Sequence, residues 1–159
     1  MLLYVNEIDS PLGKIYLGVS DDTVNYISYD KADFIAQHEA ISAEETPLMR
    51  ELKAELQQFF KGEIQDFTVP IEVVGTDFQM RVWKALRTIP YGEVVSYRDI
   101  AELAGSPKAV RAVGQANHAN PIPIIIPCHR VIQADGKIGG YNGSDVERKQ
   151  WLLALEMPF

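Results

Sequence analysis

Asn120-Pro121-Ile122-Pro123-Ile124-Ile125-Ile126-Pro127-Cys128-His129-Arg130-Val131 holds the one cysteine of the chain, with a histidine directly after it. Proline fixes φ and pushes the residue before it toward extended geometry, so this segment reads as a stiff, strand-like rod. Ile124 to Ile126 shows no polar alternation, which predicts burial on both sides. A rigid, buried approach would then deliver one thiol to a fixed place.

Cys128 has two readings. A free cysteine is often an inert, buried small hydrophobe. This one lies between an apolar run and a His-Arg pair, where an imidazole and positive charge can favour the thiolate. A free thiol has a pKa of about 8.5, so little of it is nucleophilic at neutral pH unless a base helps. Adjacent side chains of an extended chain point to opposite faces. His129 therefore serves the sulfur only if the chain turns here or one water relays the proton.

The 159 residues suit one good-sized domain or two small ones, and the character of the chain changes near Val74-Gly75. The expected division is residues 1–74, an α/β part, and 75–159, the part that holds Cys128. Net charge is −7, which by itself argues against nucleic acid. Its distribution does not: residues 1–75 carry 14 acidic and 5 basic side chains, net −9, and residues 76–159 carry 8 and 10, net +2. No apolar run approaches the roughly 20 residues that span a bilayer, and no secretory leader is evident, so a cytoplasmic location is expected. A single cysteine excludes an intramolecular disulfide and a cysteine-rich zinc site, and His38, His118 and His129 are too dispersed for a standard ligand set.

Leu2–Ile8, Lys14–Val19 and Thr23–Tyr29 are β-rich runs separated by turn clusters, which predicts an antiparallel meander. Thr46-Pro47 is an N-cap and first-position proline, and Leu48, Leu52, Leu56 and Phe59-Phe60 form an apolar stripe ending at Gly62. Residues 67–74 are a candidate further strand. In the second half, Thr76 with Gln79 forms a capping box ahead of Phe78, Val82 and Leu86, and Trp83 reads as core. Ser96, boxed with Asp99, starts a helix through Ala104. Gly105 ends it, and Ser106-Pro107 is read as the cap and first position of a second helix over 108–116, giving a helix-turn-helix. A last helix starts at Ser144, boxed with Glu147, with Trp151, Leu152 and Leu155 as core. The fold class is α/β (α+β): a small N-terminal antiparallel sheet with a helix, then a mainly helical part with the helix-turn-helix and the cysteine.

Pro127-Cys128-His129-Arg130, with Asn120-Pro121 before it and Gly139-Gly140-Tyr141 after it, resembles the active-site signature of the alkyltransferases that repair DNA alkylated at guanine O6. The resemblance extends over most of residues 76–156. It implies stoichiometric transfer of a methyl or larger alkyl group from O6 of guanine, with O4 of thymine as a further target, to Cys128, which inactivates the protein. It makes His129 the base that takes the thiol proton through water, Glu156 the partner that fixes the imidazole, and Asn120 the organiser of the turn before the cysteine. Tyr97 matches a tyrosine that rotates the target phosphate and donates a proton toward the leaving guanine. Arg111 matches an arginine that fills the vacated stack. Ala109, Ala112 and Gly114 lie on a recognition helix in the minor groove, and Arg130 is counted with the DNA-binding residues. Val131, Tyr141 and Asn142 belong to the guanine pocket. Asn142 replaces a serine, and His118 an arginine, of the human-type pattern.

The resemblance implies no cofactor and, as partner, double-stranded DNA carrying O6-alkylguanine. It implies a monomer, with cooperative binding along DNA left open. Two rivals are a Cys-His hydrolase, which needs an oxyanion hole, and a non-reactive sensor of alkylated bases, which Cys128 counts against. A purely regulatory helix-turn-helix protein is weaker still.

Overall fold

Ile15, Leu17 and Val19 alternate along β2 (Gly13–Val19) and are fully buried, as a strand with one face on a core requires. β2 pairs antiparallel with β1 (Leu2–Ser10) through the turn at Pro11-Leu12, and with β3 (Val24–Ser28) on its other side. Gly13 closes the first turn at φ +99°, a conformation that favours glycine. A short β4 (Ala40–Ser42) adds to β1 in parallel, giving the order β3-β2-β1-β4. The expected meander is therefore three strands of a four-stranded mixed sheet. Residues 67–74 contribute only an isolated bridge, Val24 to Ile71, because Pro70 lacks the N–H a full ladder needs.

Helix α1 (Pro47–Phe60) is capped by Thr46, whose side chain accepts from the Met49 N–H. Its buried stripe is Met49, Leu52, Leu56, Phe59 and Phe60, with Leu48 only half-buried. The stripe thus begins one residue later than the sequence reading places it. The structure, a computed structural model, describes residues 2–30, 40–136 and 143–157. It divides into two compact units, Met1–Val73 and Val74–Phe159.

The second unit starts with α2 (Asp77–Leu86), whose capping box of Thr76 and Gln79 is complete. Trp83 is buried and donates its indole N–H to the Ala116 carbonyl at 2.8 Å. A Cβ on Gly75 would stand 2.7 Å from two carbons of that ring, so this close approach requires glycine. A two-residue β5 (Val95–Ser96) leads into α3 (Tyr97–Leu103), capped by Ser96 and boxed with Asp99. Gly105, at φ +79°, ends α3, with Ser106 N–H on Ala101 O and Gly105 N–H on Glu102 O, the paired closure of a Schellman motif.

Helix α4 is Val110–His118, and its N-cap is Ala109 with no side-chain cap bond. Ser106 and Pro107 instead lie in a turn closed by Ala109 N–H on Ser106 O at 2.9 Å. The helix therefore starts three residues later than the expected first position at Pro107. The chain then passes a 3₁₀ turn (Cys128–Arg130), β6 (Val131–Ile132) and α5 (Gly143–Glu156). Leu152 is buried in α5, and Trp151 and Leu155 are half-buried. No described helix is long and apolar enough to cross a membrane.

Candidate active site

The segment before the cysteine is a folded loop rather than a rod. Asn120 organises it: its Oδ1 accepts from the Ile122 N–H at 2.9 Å, and its Nδ2 donates to the Ile126 carbonyl at 2.8 Å. Ile126 N–H returns to Ile122 O at 2.9 Å, and Ile124 adopts φ 77°. A β-branched residue resists that left-handed conformation, so the surrounding bonds must hold it there. Burial of Ile122, Ile124, Ile125 and Ile126 supplies the rest of the hold.

Pro127 then admits the 3₁₀ turn, which the Val131 N–H closes on the Cys128 carbonyl. The turn settles one of the two options for His129: the backbone bends at the nucleophile. Cys128 as a residue is half-buried. β6 follows directly and pairs in parallel with β5, Val95 with Val131 and Ser96 with Ile132. Since Tyr97 follows Ser96, this small ladder ties the start of α3 to the end of the nucleophile's turn.

Glu156 lies at the end of α5 and binds two residues of that turn. Its Oε2 is 2.7 Å from His129 Nε2, and its carboxylate accepts from Arg130 Nε at 2.7 Å and Arg130 Nη2 at 3.0 Å. All three residues are buried. Two donors, His129 and Arg130, hold the carboxyl at a pKa of about 2 against the opposing effect of burial. Burial lowers His129, so its imidazole is neutral at neutral pH. An anionic carboxylate accepts only, so Nε2 carries the proton and Nδ1 keeps its lone pair. Nδ1 is buried and has no hydrogen-bond partner among the described residues. The imidazole is therefore arranged as a base.

Arg130 also donates Nη1 to the Ile89 carbonyl at 2.7 Å, and its guanidinium lies 5.6 Å from the centre of the Tyr91 ring. Counting Arg130 among the DNA-binding residues is thereby corrected: its cation is buried and committed inside the protein. The exposed side of α4 carries Arg111, Gln115 and His118, with Ala112 and Gly114 half-buried beside them and Ala109 half-buried at its cap. A Cβ on Gly114 would meet nothing within 4 Å, so that side of the helix is open. Val131 is fully buried, and Tyr141 and Asn142 lie outside the described residues.

Burial raises the Cys128 pKa, opposed by the Asn120 side chain and the positive charge of Lys149. The resting sulfur is thus a thiol at neutral pH, where the sequence reading expected neighbouring charge to favour the thiolate. Desolvation outweighs it.

Residues 77–158 match the family model described as 6-O-methylguanine DNA methyltransferase, DNA binding domain. The constitutive methylated-DNA-protein-cysteine methyltransferase of Bacillus subtilis is 44% identical over 156 residues, covering 96% of this chain and 94% of that one. The chain belongs to the methylated-DNA-protein-cysteine methyltransferase family. Within that family, a Mycobacterium bovis methyltransferase is 58% identical over 102 residues, covering 64% of this chain and 61% of its own length. The crystal structure of Mycobacterium tuberculosis OGT in complex with DNA superimposes with a TM-score of 0.84 at 43% identity, covering 98% of this chain and 92% of that one.

Two residues of this methyltransferase-family site escaped the sequence reading. Lys149 is buried and donates to the Val131 carbonyl. Asn117, also buried, donates Nδ2 to the Cys128 carbonyl at 3.4 Å. Helical spacing carried the signal in both cases. Lys149 lies three residues before Leu152 and seven before Glu156, on one face, and Asn117 shares a face with Val113.

Proposed function

We propose that this protein repairs double-stranded DNA by moving an alkyl group from guanine O6 to Cys128. The Glu156-His129 contact is the observation that carries this reading, because it leaves Nδ1 as a buried base one residue from a protonated thiol. The thiol proton passes to Nδ1 through a water, and the sulfur attacks the alkyl carbon. The S–C bond forms as the C–O6 bond breaks; its electron pair stays with guanine, which takes up a proton donated by Tyr97. The resulting thioether offers no good leaving group in neutral water, so each molecule acts once and needs no cofactor.

Guanine O6 lies inside the stacked duplex, so the nucleotide must be turned out, at a cost of a few kcal/mol. In this reading Tyr97 rotates the phosphate, Arg111 fills the gap, and Ala109, Ala112 and Gly114 let α4 approach the groove. The protein acts as a monomer in the cytoplasm. The hydrolase alternative loses ground because the Cys128 N–H already donates to Ile126 O at 2.7 Å, leaving it unavailable to an oxyanion hole.

Intact mass and peptide mapping after mixing with duplex DNA containing one O6-methylguanine test the reading. The expected result is one methyl per protein, on Cys128. Tight binding of the lesion with no change in mass would instead make the protein a sensor. Arg111→Ala should leave the fold intact, since the side chain is exposed. It should slow transfer from duplex by about 10- to 100-fold, the scale of the unstacking cost. Reaction with free O6-alkylguanine base, which needs no flipping, should be unchanged in a single-turnover comparison.

A further inference from the structure

Pro90-Tyr91-Gly92-Glu93, between α2 and β5, closes as a turn, with Glu93 N–H on Pro90 O at 3.2 Å and Gly92 at φ +83°. That sign of φ at the third position of a turn calls for glycine. The turn lies against Arg130 and Glu156 together. On the Arg130 side, the Ile89 carbonyl just before the turn accepts from Nη1 at 2.7 Å, and the guanidinium lies 5.6 Å from the centre of the Tyr91 ring. On the Glu156 side, Tyr91 donates its hydroxyl to the Leu155 carbonyl at 3.4 Å, and a Cβ on Gly92 would stand 3.4 Å from the Glu156 carbonyl. The last carbonyls of a helix have no partner within it, so Tyr91 supplies one where α5 presents Glu156.

We propose that Tyr91 is a positioning residue for the alkyl-transfer reaction: its ring steadies the Arg130 guanidinium against Glu156, its hydroxyl pins the end of α5, and Glu156 is thereby held on His129 Nε2. This rests on Cys128 being the alkyl acceptor.

The Glu156 carboxylate explains why such a restraint matters. Oε1 accepts from Arg130 Nε, but Oε2 is shared: it takes Arg130 Nη2 at 3.0 Å and lies 2.7 Å from His129 Nε2. A guanidinium that shifts therefore draws the shared oxygen away from the imidazole, and the ring is then free to exchange its tautomer. Hydrogen bonds to Glu156 and Ile89 hold Arg130 from one set of directions. The Tyr91 face adds an attraction of another kind, which strengthens where water is excluded. Burial, with the negative charge of Glu156 next, raises the Tyr91 phenol above its ordinary pKa, so it remains an O–H donor at neutral pH. The hydroxyl bond is long, so the ring carries the larger share of the effect.

The His129 ring nitrogens, observed by NMR, report the contact without DNA or the repair reaction. Wild type should show the Nε2–H tautomer alone, and Tyr91→Leu should bring the Nδ1–H tautomer into exchange with it. Single-turnover transfer from methylated duplex should slow about tenfold in Tyr91→Leu, within the range that a small misplacement of a reacting group costs. Tyr91→Phe keeps the ring and should restore most of the rate and the tautomer. A Tyr91→Leu protein that keeps the wild-type tautomer would overturn the proposal, whatever its stability.

Should Tyr91→Leu fail to fold, phenylalanine and progressively fluorinated phenylalanines at position 91 supply a second test. They share a shape, while fluorine withdraws the negative charge of the ring face that attracts a cation. The transfer rate should fall along the series, and a flat series would equally overturn the proposal. A mass experiment that finds no methyl on wild-type Cys128 would defeat the repair reading, while the ring-nitrogen comparison would still decide whether Tyr91 holds Glu156 on His129.

Discussion

Glu156→Ala is expected to remove about 3–5 kcal/mol of stability, the scale found when one partner of a buried ion pair is lost. The variant leaves the Arg130 guanidinium buried with only the Ile89 carbonyl and the Tyr91 face to compensate it. It also frees the His129 ring to turn. Against a total of roughly 5–15 kcal/mol for a domain, such a loss brings the fold close to its threshold. Guanidinium unfolding monitored by tryptophan fluorescence measures it. Glu156→Gln, which can still accept from His129 but cannot neutralise Arg130, should retain part of the stability and lose most of the transfer rate.

The same carboxylate gives the protein an acid limit. Both His129 and Glu156 have lower pKa values in the folded chain than when unfolded. Their stabilisation is complete above the unfolded values and drains away as pH falls. His129 begins to withdraw support below 6.5, because protonating it in its buried site is unfavourable. Glu156 follows between 4.5 and about 2. Its share is of order 3 kcal/mol at about 1.4 kcal/mol per pKa unit. The midpoint of unfolding should therefore fall in two stages on acidification, and Glu156→Gln should lack the second.

Cys128→Ala should abolish alkyl transfer completely, with no mass gain after prolonged incubation, while binding to methylated duplex persists. No other cysteine exists to accept the group. The variant should also differ from wild type in alkali. Burial holds the Cys128 pKa above its ordinary value, so the wild type gives up this one contribution as pH rises through the alkaline range, and the alanine variant has no such contribution to lose. Gel-shift and mass measurements on one preparation separate binding from chemistry. A residual methyl on Cys128→Ala would place the acceptor elsewhere.

The helices were legible because their ends announce themselves. Thr46-Pro47, Thr76 with Gln79 and Ser96 with Asp99 all cap as their residue types dictate. Ser106-Pro107 has the same local chemistry, yet the pair lies in a turn closed by Ala109 N–H on Ser106 O and the next helix starts after Ala109. The proline-rich run misled in the opposite direction. Local φ preferences favour an extended chain there, but Asn120 bonds to two points of the loop and imposes a left-handed Ile124. The parallel β4 was unreadable, as three residues carry too little pattern.

At the site, the roles of Cys128, His129, Glu156 and Asn120 follow from the family resemblance, and the structure brings His129 and Glu156 into contact across 27 residues. For Lys149 the spacing from Leu152 and Glu156 competes with the ordinary solvation of a helix lysine, and the fold decides between them by burying it. Arg130 was misread for the converse reason. Next to a nucleophile in a DNA-facing half, a cation suggests phosphate, yet its nearest anion is a carboxylate far along the chain.

That long reach from the turn to Glu156 has a consequence for the newly made protein. A chain that has left the ribosome only as far as Cys128 carries a thiol with no oriented base and no lysine beside it. The oriented base arrives when α5 has been synthesised and docked. A partly translated molecule therefore cannot carry out the aligned transfer, because the carboxylate that fixes the His129 imidazole lies 27 residues further on.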